Sequence, residues 1–247
     1  MFDWYAGTYN ETAKLLLQTK TRLAIALSAL VPVLAALLLA SLESRAGLSL
    51  GRDLPQLMLG LFTAVWLPLF VFMAAAESFS GEYAARTIKL ALLQPVTRAS
   101  LFASKVAALL LYTAGLLAVV WVASAAAGLA FDSRTTIAGL PDSLQTYAAA
   151  FVAMASLCAF AAFVAQWLRS GVGTLAVCVA LYVAAKLLPF VFPEASVWSF
   201  FAYTDWHTLW LGGGVSAGKL LQAFAFLLSG SIISYMAGWY MFETKSF

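Results

Sequence analysis

Six long apolar runs dominate the chain, and polar residues gather in the stretches between them. The runs cover Leu23 to Ser41, Pro55 to Ala76, Val106 to Ala130, Gln145 to Trp167, Val172 to Phe192 and Leu220 to Phe242. Each holds about 19 to 25 residues, enough at 1.5 Å per residue to cross a hydrocarbon layer of about 30 Å. The pattern predicts an all-α, polytopic membrane protein with six transmembrane helices. Pro32 lies inside the first run and is expected to kink it, which neighbouring helices can absorb.

Three polar or mixed stretches stand out between the runs. Residues 1–22 form a lead-in, and residues 23–247 the six-span domain. Within the lead-in, Tyr9 to Arg22 mixes Ala13, Leu15, Leu16 and Leu17 with Lys14, Gln18, Lys20 and Arg22. That mixture predicts an amphipathic helix at a membrane surface, its basic face toward anionic headgroups. The alternative is a basic flank that only sets topology.

The second stretch, residues 77–105, is too polar for lipid and too apolar for a loose linker. Glu82 precedes Arg86 by four residues, a favourable helical pair. Ile88, Leu90, Leu92 and Leu93 continue a partly apolar helix. Gln94-Pro95 should stop it, because the residue before proline avoids the helical region. Thr97-Arg98-Ala99-Ser100 can cap the helix that returns to the membrane. The third stretch, residues 193–219, carries Trp198, Phe200, Phe201, Tyr203, Trp206 and Trp210 among few charges. It is expected to form short helices at the outer membrane interface, or else an aromatic loop packed on the span ends.

Composition agrees. The chain is 63% hydrophobic and 10% charged, with a mean hydropathy of +0.91. So few charges cannot cover a soluble protein of 247 residues. A net charge of +3 is too small to argue for nucleic acid. Cys158 and Cys178 sit in apolar runs and read as buried thiols, not a disulfide. No cleavable signal is evident, so the first run reads as a permanent span.

Charge placement predicts orientation. With the start of the chain in the cytoplasm, Lys14, Lys20, Arg22, Arg86, Lys89, Arg98, Lys105, Arg169 and Lys245 lie inside. Arg45, Arg52, Arg134 and Lys219 lie outside. The bias places both termini in the cytoplasm. Trp167, Trp198, Trp206, Trp210 and Trp239 fall at or near span boundaries, where amphipathic rings are favoured.

Little in the chain suggests catalysis. Gly213 to Lys219 (GGVSAGK) matches the first part of a phosphate-binding loop, but Leu220 stands where a Ser or Thr must hold magnesium. Asn10-Glu11-Thr12 fits a glycosylation sequon on a segment expected to be cytoplasmic. His207 is the only histidine and has no Cys or His beside it. No nucleophile–base pair or metal cluster is visible. Lys186 is the one charge well inside a span, hence a candidate functional charge, although it lies within snorkelling reach of the outer end. Glu77, Gln145 and Gln166 sit at span edges. The spans hold no chain of carboxylates, which gives a proton- or sodium-driven carrier little support.

Residues 81–105 also carry a resemblance. Gly81, Glu82, Tyr83, Thr87, Ile88, Leu92-Leu93, Pro95, Val96, Thr97, Arg98 and Lys105 resemble the signature of ABC-2 type transporter permeases, the membrane subunits of one class of ABC transporters. Arg86 stands where that family usually has glycine. The amphipathic lead-in, six spans and hydrophobic last outside segment fit the same architecture. The resemblance implies a coupling helix that sits in a groove of a separate ATPase subunit. It assigns contact with that subunit to Glu82, Tyr83, Arg86, Thr87 and Lys89, with Arg98 bracing the turn. It further implies no catalysis and no cofactor on this chain, ATP and magnesium on the ATPase, and a second permease subunit, identical or related. The cargo would be an amphipathic or hydrophobic molecule such as an antibiotic, peptide or lipid, and it would be exported. A secondary transporter and a non-transporting membrane scaffold or enzyme subunit are the rival readings.

Overall fold

The computed structural model describes residues 2–46, 53–85, 97–191, 200–210 and 215–245. These are helical almost throughout, with no strand among the described residues. Helix α1 (Phe2–Leu17) leads in and breaks at Gln18. Six helices long and apolar enough to cross a membrane follow: α2 (Thr19–Ala46), α3 (Leu54–Ala84), α4 (Arg98–Phe131), α5 (Ser133–Val164), α6 (Gly171–Val191) and α7 (Ala217–Thr244). An aromatic 3₁₀ segment, Phe200–Trp210, packs against α5 between the last two.

All six predicted runs are helices, but several start or stop elsewhere. The third begins at Arg98 instead of Val106, where the Thr97 hydroxyl accepts from the Ser100 amide at 3.2 Å, the expected cap. The fourth begins at Ser133, not near Gln145. Ser133-Arg134-Thr135-Thr136 and Pro141-Asp142, which fall between the third and fourth predicted runs, are helical. Asp132 alone separates α4 from α5, and its carboxylate caps the Thr135 amide at 3.2 Å. Ser143 and Thr146 then donate to carbonyls three residues back, so polar side chains are satisfied within the helix.

The second run continues to Ala84 because α3 contains two π-helical turns, Phe62–Trp66 and Glu77–Gly81. Each wide turn re-aims the side chains that follow, and such turns gather at functional sites. Near the first, Pro68 has no N–H for the Ala64 carbonyl four residues back. The Tyr182 hydroxyl of α6 donates to that carbonyl at 3.0 Å. The second is stitched to α5 and α6. The buried Ser80 hydroxyl donates to the Ala165 carbonyl at 2.9 Å and lies 2.6 Å from the Thr174 hydroxyl.

Helix α5 is central: 67% of its most apolar stretch is buried, against 11% for α7. Much of the surface of α7 is therefore left open by its own bundle, although the helix packs along α5. Where α7 does touch the bundle, Gly238 makes room. A Cβ there would lie 3.0 Å from Phe102 Cζ and 3.3 Å from Phe163 Cα. Small residues allow such close helix approach in membranes. Phe79, Phe102, Tyr235 and Phe242 fill the resulting junction of α3, α4 and α7, with ring centroids 5.4 to 6.5 Å apart.

Candidate coupling site

One end of the bundle carries most of the described basic side chains. The break between α1 and α2, the ends of α3, α5 and α7, and the starts of α4 and α6 all meet there. At its centre Lys105 is wholly buried, 0% exposed. Its ammonium lies 2.7 Å from the Glu11 carboxylate of α1 and 2.8 Å from the Glu82 carboxylate of α3. The other Glu82 oxygen accepts from Lys14. Two cations and two carboxylates thus form a neutral cluster that joins α1, α3 and α4. A buried ammonium without such partners would be prohibitively costly. Phe79 closes the cluster from below, its ring centroid 6.0 Å from the Lys105 nitrogen. Lys20 pairs with Glu77 one turn earlier on α3.

The fold makes this meeting possible. The π-helical turn at Glu77–Gly81 lies just ahead of Glu82. The start of α6 packs against this turn: a Cβ on Gly171 would sit in ordinary contact, 3.7 Å from the Gly81 Cα. Helix α1 lies along α4, with Gly7 against Ser104, where a Cβ would lie 3.4 Å from the serine side chain. That contact sets Glu11, one turn further on, beside Lys105.

Tyr83 follows Glu82 and faces a different neighbourhood. Arg169 lies 5.6 Å from its ring centroid and Lys245 4.8 Å. Arg98 donates to the Glu243 and Lys245 carbonyls at 2.9 and 3.0 Å, capping the end of α7. It braces α4 against α7. Arg86, Thr87 and Lys89 lie outside the described residues. Glu82 is inward, 7% exposed, and its carboxylate is taken up by Lys14 and Lys105.

At the opposite end of α6, Lys186 pairs with Asp205 of the aromatic segment, and its nitrogen lies 5.9 Å from the Tyr182 ring centroid. The Trp206 indole donates to the Ala149 carbonyl at 2.7 Å, and Trp206 and His207 are buried. Burial holds the His207 imidazole below its ordinary pKa, with Lys186 pushing the same way and Asp205 opposing.

Sequence reading missed the role of Glu11, which appeared only as the middle of a sequon, and the Lys186–Asp205 pair. Glu11 precedes Lys105 by 94 residues, so no local pattern links them. Lys105 was visible as a motif lysine, but its burial was not.

Six apolar helices and an ion cluster rooted at one end define a multi-pass membrane protein, with its charged chemistry concentrated on one face. The profile described as ABC-2 family transporter protein matches residues 9–186. That stretch runs from α1 through Lys186 and covers most of the chain. The chain belongs to the ABC-2 family of transporter proteins, which makes it a permease subunit of the ABC transporter class. Such subunits are in general non-catalytic, pair with an ABC ATPase and dimerise. Among curated proteins none matches the chain.

Proposed function

We propose that this chain is the permease half of an ATP-driven exporter, and that residues 77–105 are the handle through which its ATPase moves it. The observation that carries the reading is the buried Lys105, held between Glu11 and Glu82 at the root of that segment. A handle transmits force only if its base is rigid. Here the base is tied to α1, α3 and α4 by charge and to α6 by the Ser80–Thr174 contact. Tyr83, Arg86, Thr87 and Lys89 meet the ATPase in this reading, and Arg98 braces the turn. Glu82 supports them from within, its carboxylate engaged by Lys14 and Lys105.

The basic end faces the cytoplasm, as the bias of Lys and Arg favours. ATP and magnesium bind the partner ATPase. A second permease subunit, identical or related, completes the transporter, and its dimer contact uses apolar surface left exposed by α2, α6 or α7. Export of an amphipathic or hydrophobic cargo is supported by the apolar character of the spans.

The test is photocrosslinking. A photoreactive residue is placed at position 86 or 89, and a control at exposed Leu144. Capture of an ATP-binding subunit from 86 and 89 but not from 144 is the expected result. Capture from none of these positions, or equally from 144, refutes the handle.

A further inference from the structure

The ends of α5 and α7 enclose an open groove of about 420 Å³ lined by Gln166, Trp167, Met241, Thr244 and Lys245. Lys245 is the cation among these, and Arg169 lies close enough to repel it. Lys245 donates to the Gln166 carbonyl at 2.7 Å, and both Lys245 and Arg169 approach the same Tyr83 ring. Among the described residues neither makes an ion pair. The carboxylates nearest along α3 are committed elsewhere, Glu77 to Lys20 and Glu82 to Lys14 and Lys105. Burial, with Arg169 adding repulsion, holds the Lys245 ammonium below its usual pKa. An anion in the groove would relieve that strain on the charged form. Helix α6 starts two residues after Arg169, so its amide dipole adds positive potential nearby.

The apolar side of the groove argues for what kind of anion. Trp167 is 64% exposed, and its indole nitrogen donates to the Met241 sulfur at 3.0 Å. Beyond it α7 exposes Tyr240, Met236 and Ile233 in a continuous stripe. An exposed indole at the end of an apolar helix is characteristic of the headgroup level of a bilayer. Paired basic residues between helix ends at that level suit a phosphate.

We propose that this groove binds the phosphodiester of an anionic glycerophospholipid, with Arg169 and Lys245 on the phosphate and the acyl chains along α7. A zwitterionic lipid offers the same phosphate but brings its own ammonium beside two cations, so anionic lipid is preferred. An acidic protein segment would satisfy the charges but would leave the exposed part of Trp167 and the α7 stripe uncovered.

The test uses the purified full-length chain in detergent, with native mass spectrometry of bound lipid. Phosphatidylglycerol and phosphatidylcholine of identical acyl chains are offered in equal amounts. The wild type is expected to retain the anionic lipid preferentially. R169Q should lower that retention by about fivefold and R169Q/K245Q by about 25-fold, one step per charge. R134Q/K219Q, at the other end of the bundle, should change nothing. Equal retention of both lipids by the wild type overturns the proposal, as does undiminished phosphatidylglycerol binding by R169Q. Displacement of the lipid by millimolar inorganic phosphate would show a plain anion site and overturn it too. So would a double variant that keeps its lipid but loses a co-purifying ATP-binding subunit. Arg169 is exposed, so R169Q alone decides the matter if the double variant fails to fold.

Discussion

Replacing Lys105 by methionine should loosen α1 without unfolding the bundle. At an effective dielectric of about 20, contacts of 2.7 and 2.8 Å each correspond to about 6 kcal/mol of attraction. Desolvating each ion costs several kcal/mol in the opposite sense, so the intact cluster has a small net worth. Its removal by halves is another matter. K105M leaves Glu11, only 14% exposed, without that cation, and takes one of its cations from buried Glu82. A buried charge stripped of its partner costs about 3 to 5 kcal/mol. The cost falls on the docking of α1, because α1 can leave while the spans stay in the membrane. Amide hydrogen exchange over residues 4–17 should accelerate by about two to three and a half powers of ten, one for each 1.4 kcal/mol or so. The triple variant E11Q/E82Q/K105M replaces all three buried ions by neutral groups and should recover most of the protection. Lys14 is half exposed and remains solvated in that variant. Unchanged exchange in K105M, or faster exchange in the triple variant than in K105M, would refute the reasoning.

Three other outcomes are expected. Tyr182→Phe removes the donor to the Ala64 carbonyl above Pro68 and should cost about 1 kcal/mol, read as a lower thermal midpoint in detergent; an unchanged midpoint would mean that the carbonyl needs no donor. Gly238→Leu should lift α7 from Phe102 and Phe163 at a cost of about 1 to 3 kcal/mol, visible as weaker cysteine crosslinking between α7 and α5; undiminished crosslinking would contradict the close approach. The lowered pKa of His207 means that the folded chain binds fewer protons there than the unfolded chain, so stability is present above the ordinary value of 6.5 and is lost as pH falls through the lowered one. Protection of the amides in residues 200–210, taken relative to the intrinsic exchange rate at each pH, should fall on acidification through that window, and H207Q should abolish the fall; persistence of the same acid step in H207Q would assign it to another group.

How far the sequence spoke depends on the range of the interaction. The spans were legible because hydropathy is local: each run carries its own evidence for burial in lipid. The Thr97 cap was legible for the same reason. The helical start at Ser133 was not, because it relies on Asp132 capping and on serine and threonine hydroxyls turning back onto their own helix. In water those residues would favour a loop. The extension of α3 to Ala84 was hidden because Ser80 and Glu82 look like solvent-facing polar residues. They are buried only because Ala165, Thr174, Lys14 and Lys105 come to meet them. Likewise Lys186 looked like a snorkelling lysine, and its partner Asp205 sits 19 residues on, in another element. The Gly81–Arg98 pattern drew attention to the neighbourhood of Glu82 and Arg98. It did not say which charges face inward.

The central claim is that residues 77–105 lie on the cytoplasmic side and are covered by an ATPase. A single cysteine at position 89, labelled with a membrane-impermeant maleimide, tests it directly. The native Cys158 and Cys178 are both buried and give a quiet background. Labelling is predicted in inverted vesicles and not in intact cells, and it should fall when the ATP-binding subunit is co-expressed. Labelling in intact cells, or labelling that the ATP-binding subunit leaves undiminished, would contradict the account.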